Sequence, residues 1–150
     1  MLGISRQTDY ATRLVLHLAG LAPGTRVSIA EISRIQQLPV PFVRRLVGLL
    51  IQAGLVVSTR GAGGGLRLAR EAREISLLQV VEAVEGTLAL NHCVGNLKAC
   101  ARAEHCPGHP AWTQATLILV RHLGAVDFAT LASEPKGQAR ARVRAQAASI

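Results

Sequence analysis

The chain has 150 residues, of which 49% are hydrophobic, so it has room for one compact domain with an accessory helix and enough apolar side chains for a core. Its formal net charge of +8 at pH 7 favours a polyanionic partner, because lysine and arginine gain affinity by releasing counterions from phosphates. No apolar run reaches the roughly 18–20 residues that span a bilayer, and the polar start is unlike a signal peptide, so we expect a cytoplasmic protein with no membrane partner.

The first part of the chain predicts an opening helix followed by two short helices joined by a tight turn. Apolar residues recur at helical spacing over residues 8–21. Ser28, followed three residues later by Glu31, is a capping-box pattern that begins the second helix. Pro41 suits the first turn of a third helix, which buries one apolar face and ends at Gly54. This order is typical of a helix-turn-helix whose third helix reads the major groove.

A glycine-rich hairpin follows the third helix. The sequences LVVSTR and LRLA are typical of strands, and the GAGGG between them (residues 61–65) is typical of a tight loop. A phosphate-cradling loop of a nucleotide enzyme is the alternative, but neither a Lys-Ser/Thr pair nor a helix follows these glycines. A strand follows instead, so the hairpin predicts the wing of a winged helix.

The second part of the chain predicts a helix, a cysteine segment and another helix. Ser76 caps an amphipathic helix that ends at Gly86. From Ala111 a further helix is apolar on more than one side, which indicates a dimerisation helix, although a buried core helix would show the same pattern. We therefore divide the chain into a winged helix-turn-helix DNA-binding domain (1–86), a cysteine-rich cluster-binding loop (87–110), the dimerisation helix with a short terminal helix (111–132) and a disordered basic tail (133–150).

All the cysteines of the chain lie in one short segment. The pattern C-x6-C-x5-C-x2-H is formed by Cys93, Cys100, Cys106 and His109. Such soft ligands beside glycine and proline indicate a metal or iron–sulfur site. An odd number of cysteines in a reducing compartment argues against a disulfide framework. No Ser-His-Asp spacing or paired-carboxylate pattern occurs, so we expect neither an enzyme nor a small-molecule substrate.

Several motifs occur together in an order that points to one family. These are the opening TDYATRLVLHLA, the helix-turn-helix, the wing RGAGGGLRL, the helix EISLLQVVEAVEG and the three spaced cysteines. In combination they resemble the Rrf-type winged-helix repressors, which include IscR-like and NsrR-like iron–sulfur regulators, and the resemblance covers residues 1–132. It implies a homodimer that binds a palindromic operator in double-stranded DNA. It also implies a [2Fe–2S] or [4Fe–4S] cluster held by Cys93, Cys100 and Cys106.

The resemblance also assigns the basic residues and leaves two candidates for the fourth ligand. His109 matches the histidine of IscR-like proteins and favours [2Fe–2S]. Asp9 matches the position from which NsrR-like proteins donate a carboxylate to the partner subunit's [4Fe–4S] cluster, but it also suits the positive end of its own helix. We favour His109, since imidazole beside thiolates is a known iron–sulfur ligand set. The predicted DNA contacts are Pro41, Arg44 and Arg45 at the start of the recognition helix and Arg60, Gly63 and Arg67 in the wing.

The expected fold is mainly α-helical, with a small β-hairpin wing and a long C-terminal dimerisation helix. The expected function is that of a dimeric DNA-binding transcriptional regulator, a repressor by resemblance, which senses iron, redox state or nitric oxide through an iron–sulfur cluster. Two alternatives use the same side chains: a structural zinc site, and a metal-free switch in which two thiols form a reversible disulfide.

Overall fold

The computed structural model describes residues 3–134, so the predicted basic tail lies outside the described residues from residue 135 onward. The described part is mainly helical with one two-stranded antiparallel hairpin, which confirms the predicted fold class. None of its helices is both long and apolar enough to cross a membrane. The elements are α1 (Arg6–Ala19), α2 (Ile29–Gln36), α3 (Val40–Gln52), β1 (Val56–Thr59), β2 (Gly65–Leu68), α4 (Leu77–Glu85), α5 (His92–Gly95), α6 (His109–Ala125) and α7 (Phe128–Ser133), with short 3-10 helices at Ala72–Glu74, Leu97–Ala99 and Ala103–His105.

Local sequence signals begin most of the helices. The Ser28 hydroxyl accepts a hydrogen bond from the Glu31 N–H at 3.1 Å, and Ser76 forms a reciprocal capping box with Gln79 at the start of α4. Helix α1 begins earlier than the predicted residue 8, because Ser5 caps it by accepting from the backbone N–H of the third residue of the helix. These caps satisfy backbone donors that the first turn of a helix leaves without partners.

One hydrophobic core joins the N-terminal helices, the hairpin and the last helix. Helices α1, α3 and α4 each bury a stripe of apolar residues at helical spacing. Phe128 of α7 is fully buried in the same core. The sequence division grouped this terminal helix with the dimerisation helix, whereas its packing joins it to the winged-helix unit. The largest fully buried side chains include Phe128, Leu14, Ile32, Leu46, Leu50 and Leu66.

The wing is a two-stranded antiparallel hairpin with four residue pairs, and an isolated β-bridge lies beside its second strand. β1 pairs with β2 in the register Val56↔Leu68 to Thr59↔Gly65. Val27 exchanges two backbone hydrogen bonds with Leu66, at 2.8 and 3.1 Å, so the chain before α2 runs along β2. The hairpin is thereby fixed to the helix-turn-helix on the side away from β1.

A carboxylate connects the start of α1 to the end of α4. Glu85 accepts hydrogen bonds from the backbone N–H of Ser5 at 3.1 Å and from the hydroxyl of Thr8 at 2.5 Å, and Thr8 is only 1% exposed. Hydrogen bonds from the Ser5 side chain and the Thr8 hydroxyl lower the pKa of Glu85 below its usual range, with a smaller contribution from the Ser5 N–H. This contact holds two helix ends together just before the cysteine segment begins.

Glu85→Gln is expected to lower the free energy of unfolding by about 0.5–1 kcal/mol at neutral pH, a small value because solvent screens this carboxylate. The pKa of Glu85 is depressed in the folded state, so its contribution is complete above the ordinary pKa of about 4.3 and is lost as pH falls through the folded-state value. Thermal melts should therefore show a gap between variant and wild type near neutral pH that closes in acid. Glu82→Gln, with the same charge change in the same helix, is the control, and an equal loss in both variants would contradict the assignment.

Candidate functional site

The start of α3 presents its basic residues to solvent. Arg44 and Arg45 are exposed, while Val43 and Leu46 on the opposite face are buried in the core. Pro41 is exposed in the first turn of the helix. The buried face thus sets the rotation of α3 about its axis and turns the predicted DNA-contacting residues outward, as a recognition helix requires.

Two contacts fix the position of α3 relative to its neighbours. The ring of Phe42 packs edge-to-face on Tyr10 of α1, with ring centroids 5.8 Å apart. In the turn between α2 and α3, Gln37 adopts a left-handed conformation (φ 55°) and ends α2, and the Ser33 hydroxyl donates to the carbonyl of Leu38 at 2.5 Å. A side chain of α2, that of Ser33, thereby holds the turn in place.

The wing carries the second group of predicted DNA contacts. Arg60 and Gly63 are exposed at its tip, and Arg67 is exposed on β2, where its guanidinium donates to the carbonyl of Leu68 at 3.1 Å. Arg26, which the sequence did not single out, donates from Nη1 to the carbonyl of Gly63 at 2.9 Å. No local pattern could have indicated this contact, because the two residues are 37 positions apart.

The arginines of this surface keep their charge available. Within residues 3–134 the ion pairs are Arg13 with Asp9 and Arg73 with Glu71, and neither pair includes an arginine of α3 or of the wing tip. A guanidinium without a carboxylate partner is free to form hydrogen bonds with phosphate oxygens or base edges. The exposed start of α3 and the tip of the wing together form the candidate nucleic-acid surface.

The cysteine segment is a series of short helical turns rather than an extended loop. It comprises α5 and the two 3-10 helices that follow, and α6 begins at His109, two residues before the predicted start. Cys93 is half-buried, Cys100 and Cys106 are exposed, and all three are free thiols. The His109 Nε2 lies 3.2 Å from the carbonyl oxygen of Cys93, so the first residue of α6 meets the first cysteine.

The chemistry of this donor set fits an iron–sulfur cluster or zinc, since three thiols and one imidazole lie on a single short segment. The side chains are not gathered around one point: among residues 3–134 no three His, Cys, Asp or Glu side chains are placed to hold a metal ion. Asp9 lies exposed in the first turn of α1, with its carboxylate 3.8 Å from the Arg13 guanidinium.

The cysteine segment is attached to α6 by a buried threonine. The Thr116 hydroxyl accepts from the backbone N–H of Leu90 at 3.2 Å and donates to the carbonyl of Trp112 at 2.9 Å, and its residue is 5% exposed. Elsewhere α6 exposes apolar side chains, with Trp112 43%, Leu117 44% and Ile118 58% exposed. Their spacing places them on more than one side of the helix, and apolar side chains left uncovered on a long helix fit the predicted dimerisation helix.

Comparison with known proteins agrees with this architecture. Residues 4–134 match the Rrf2 family model, which is described as an iron-dependent transcriptional regulator. A putative HTH-type transcriptional regulator of Haemophilus influenzae is 31% identical over 125 residues, or 83% of each chain. The structure of CymR, the global cysteine regulator of B. subtilis, covers 89% of this chain and 98% of its own, with a TM-score of 0.72 and 26% identity.

A second solved structure, T. potens IscR, covers 91% of both chains with a TM-score of 0.68 and 27% identity. The relatives carry the names of regulators, which confirms the prediction of a regulator rather than an enzyme. The family match spans all the elements from α1 to α7. The chain therefore belongs to the Rrf2 family and is a DNA-binding transcriptional regulator.

Proposed function

We propose that this regulator is a homodimer that represses transcription from a palindromic operator and senses iron, redox state or nitric oxide through an iron–sulfur cluster. The observation that carries the proposal is the combination of an exposed arginine surface on α3 and the wing with three free cysteines on a segment tethered to α6. The description of the family as iron-dependent supports the choice of an iron-containing group.

The DNA-reading unit comprises residues 1–86. The exposed start of α3, with Pro41, Arg44 and Arg45, enters the major groove, where arginine recognises guanine edges. Arg60, Gly63 and Arg67 of the wing lie against the adjacent backbone or minor groove. Gly63 at the tip has no side chain to keep its backbone away from DNA, and the space beside it is open, with no heavy atom within 4 Å of where a Cβ would be.

The exposed apolar side chains of α6 form the proposed dimer interface, which lies within the predicted dimerisation segment, residues 111–132. Burying Trp112, Leu117 and Ile118 between two copies removes the largest exposed apolar side chains of this helix from water. Pairing two copies through this helix would give the dimer the two-fold symmetry that a palindromic operator requires.

The cluster-binding segment is residues 87–110. Cys93, Cys100, Cys106 and His109 would hold a [2Fe–2S] cluster, and Asp9 from the partner subunit in place of His109 would suit [4Fe–4S]. When bound, the cluster would supply a group that can be oxidised, nitrosylated or lost, and each of these events would change how the cysteine segment is ligated. The residues of the chain transmit that change: the segment is fixed to α6 through Thr116, so its rearrangement shifts the dimer helix and the spacing of the recognition helices.

The same side chains could instead bind a zinc ion or act as a metal-free thiol switch. A zinc ion would satisfy the Cys3His donor set tetrahedrally and serve a structural role. A metal-free thiol switch would use the exposed Cys100 and Cys106, which are accessible to oxidants. The cluster sensor and the thiol switch differ in what changes DNA binding. In the cluster sensor, loss of the cluster changes operator affinity, whereas in the thiol switch only the formation of a disulfide does so.

The proposal is tested by DNA binding of two preparations of the same protein. Anaerobically purified protein and protein freed of iron by chelation are titrated against a duplex enriched by the wild-type protein from a random-sequence pool, at one fixed salt concentration. A change in affinity of at least about tenfold between the two, equivalent to 1.4 kcal/mol of coupling, is expected. Equal affinities under reducing conditions would reject cluster-dependent control.

Arg60→Ala is expected to weaken DNA binding about three- to tenfold and to lower the slope of log affinity against log salt by about one, because one phosphate contact is lost. The metal content should be unchanged, since the wing is separate from the cysteine segment. Fluorescence anisotropy at several salt concentrations measures both quantities. Arg73→Ala is the control, because it removes the same charge from a residue already paired with Glu71. Unchanged affinity in Arg60→Ala would contradict the wing assignment.

A further inference from the structure

The tip of the wing needs an external support to hold one conformation. Four of the five residues at 61–65 are glycines, and Gly61 and Gly65 have positive φ angles of 103° and 144°. Fixing the backbone of one residue costs about 1–2 kcal/mol of conformational entropy, and glycine loses most. Within the loop, one turn hydrogen bond connects the Gly64 N–H to the Gly61 carbonyl at 2.9 Å. A DNA-contacting tip that is disordered before binding would pay this entropy during binding.

Arg26 supplies a contact from outside the hairpin. Its guanidinium donates to the carbonyl of Gly63 at 2.9 Å. Its own backbone is held close to β2, because the next residue, Val27, pairs with Leu66, and a Cβ on Gly65 would lie 3.1 Å from the Cβ of Arg26. The side chain therefore spans from the anchored segment beside β2 to the glycine-rich tip of the hairpin.

We propose that Arg26 is a positioning residue for the wing. By holding the Gly63 carbonyl it orders the tip before DNA binds and presents Arg60 in its binding position. This inference rests on the proposed contact between the wing and DNA. Arg26 donates to a neutral carbonyl, and neither ion pair within the described residues includes it, so its positive charge is not offset there.

The first test needs no DNA. Amide hydrogen exchange at Gly64, whose N–H donates to the Gly61 carbonyl, is compared between wild type and Arg26→Ala by NMR, with the paired amides of Val27 and Leu66 as internal references. We expect exchange at the Gly64 amide to become at least about fivefold faster while the reference amides and the melting temperature barely change. Unchanged exchange at the tip would overturn the proposal.

The second test is a double-mutant cycle on the duplex enriched from a random pool. Arg26→Ala is expected to weaken binding about fivefold, and Arg26→Lys to recover part of this loss, because an ammonium can still donate to the carbonyl. If Arg26 acts through Arg60, the double variant Arg26→Ala/Arg60→Ala should bind little worse than Arg60→Ala alone.

Strictly additive losses in that cycle would overturn the positioning role and make Arg26 an independent phosphate contact. If instead the wing does not contact DNA, the results will differ. Arg60→Ala would then leave DNA affinity unchanged, while Arg26→Ala would still accelerate amide exchange at the tip. Arg73→Ala is again the charge-matched control and should bind like wild type.

Discussion

Gly64→Ala is expected to deform the wing and to reduce DNA affinity more than about tenfold. A Cβ at this position would lie 2.3 Å from the carbonyl oxygen of Thr59 and 2.8 Å from that of Gly61. Both are backbone atoms of the hairpin, so the clash cannot be relieved by a side-chain rotation, and the loop must open. Overpacking of this kind costs about 1–3 kcal/mol. Because most of the core residues lie in the helices, the variant should still fold, with a lower melting temperature and a disordered wing tip.

Gly63→Ala is the matched control for the stability part of this prediction. A Cβ on Gly63 would meet no heavy atom within 4 Å, and its φ angle is not positive. The melting temperature of Gly63→Ala should therefore equal that of wild type, whereas that of Gly64→Ala falls. Equal melting temperatures and equal operator affinity for Gly64→Ala and wild type would show that the hairpin does not have the described geometry.

Cys100→Ala is expected to abolish the visible chromophore of the anaerobically purified protein. Removing one thiolate from a three-cysteine set leaves two, which is too few to hold an iron–sulfur cluster with a single histidine. The thiol of Cys100 is exposed, so its loss should leave the melting temperature of the metal-free protein unchanged. Absorption spectra and iron and sulfide assays on the same sample measure the effect.

His105→Ala provides the control for this variant. His105 directly precedes Cys106, and a side chain next to a ligating cysteine is hard to aim at the same centre, so its loss should leave the spectrum intact. His109→Ala should shift the spectrum if His109 is the fourth ligand, whereas Asp9→Ala should do so if the partner's carboxylate is used. A Cys100→Ala protein with the wild-type spectrum would remove Cys100 from the ligand set.

The parts of the fold that depend on local sequence were predictable. The caps at Ser28 and Ser76, the apolar stripe of α3 and the glycine loop between two strands each follow from spacings of four residues or fewer along the chain. The outward orientation of Arg44 and Arg45 also followed, since a buried face at helical spacing leaves the remaining positions exposed. The predicted winged helix is confirmed by these elements and by the family match.

Contacts between distant parts of the chain could not be predicted. The hydrogen bonds from Thr8 to Glu85, Leu90 to Thr116 and Arg26 to Gly63 join residues 77, 26 and 37 positions apart. Their polar side chains are common on helix surfaces and in turns, so no spacing distinguishes them in one sequence. The burial of Phe128 in the N-terminal core is of the same kind, because a six-residue helix shows no sign of what it packs against.

The candidate cluster site was only partly predictable. Residue types and spacing indicated a soft-ligand site, while the assignment of three cysteine ligands came from the family resemblance. The structure adds the contact between His109 and the Cys93 carbonyl and the tether at Thr116. The ligand set itself stays a prediction, because the described residues contain no group of three His, Cys, Asp or Glu side chains placed to hold a metal ion.

The most direct test of iron–sulfur sensing is an ultraviolet–visible spectrum of the anaerobically purified protein, with iron, sulfide and zinc assayed on the same sample. We predict structured visible absorption with iron and sulfide in equal amounts and little zinc, and a band shape that begins to separate [2Fe–2S] from [4Fe–4S]. A colourless protein that also fails to take up iron and sulfide in reconstitution would contradict the account, and would leave zinc or bare thiols as the occupant of the cysteine segment.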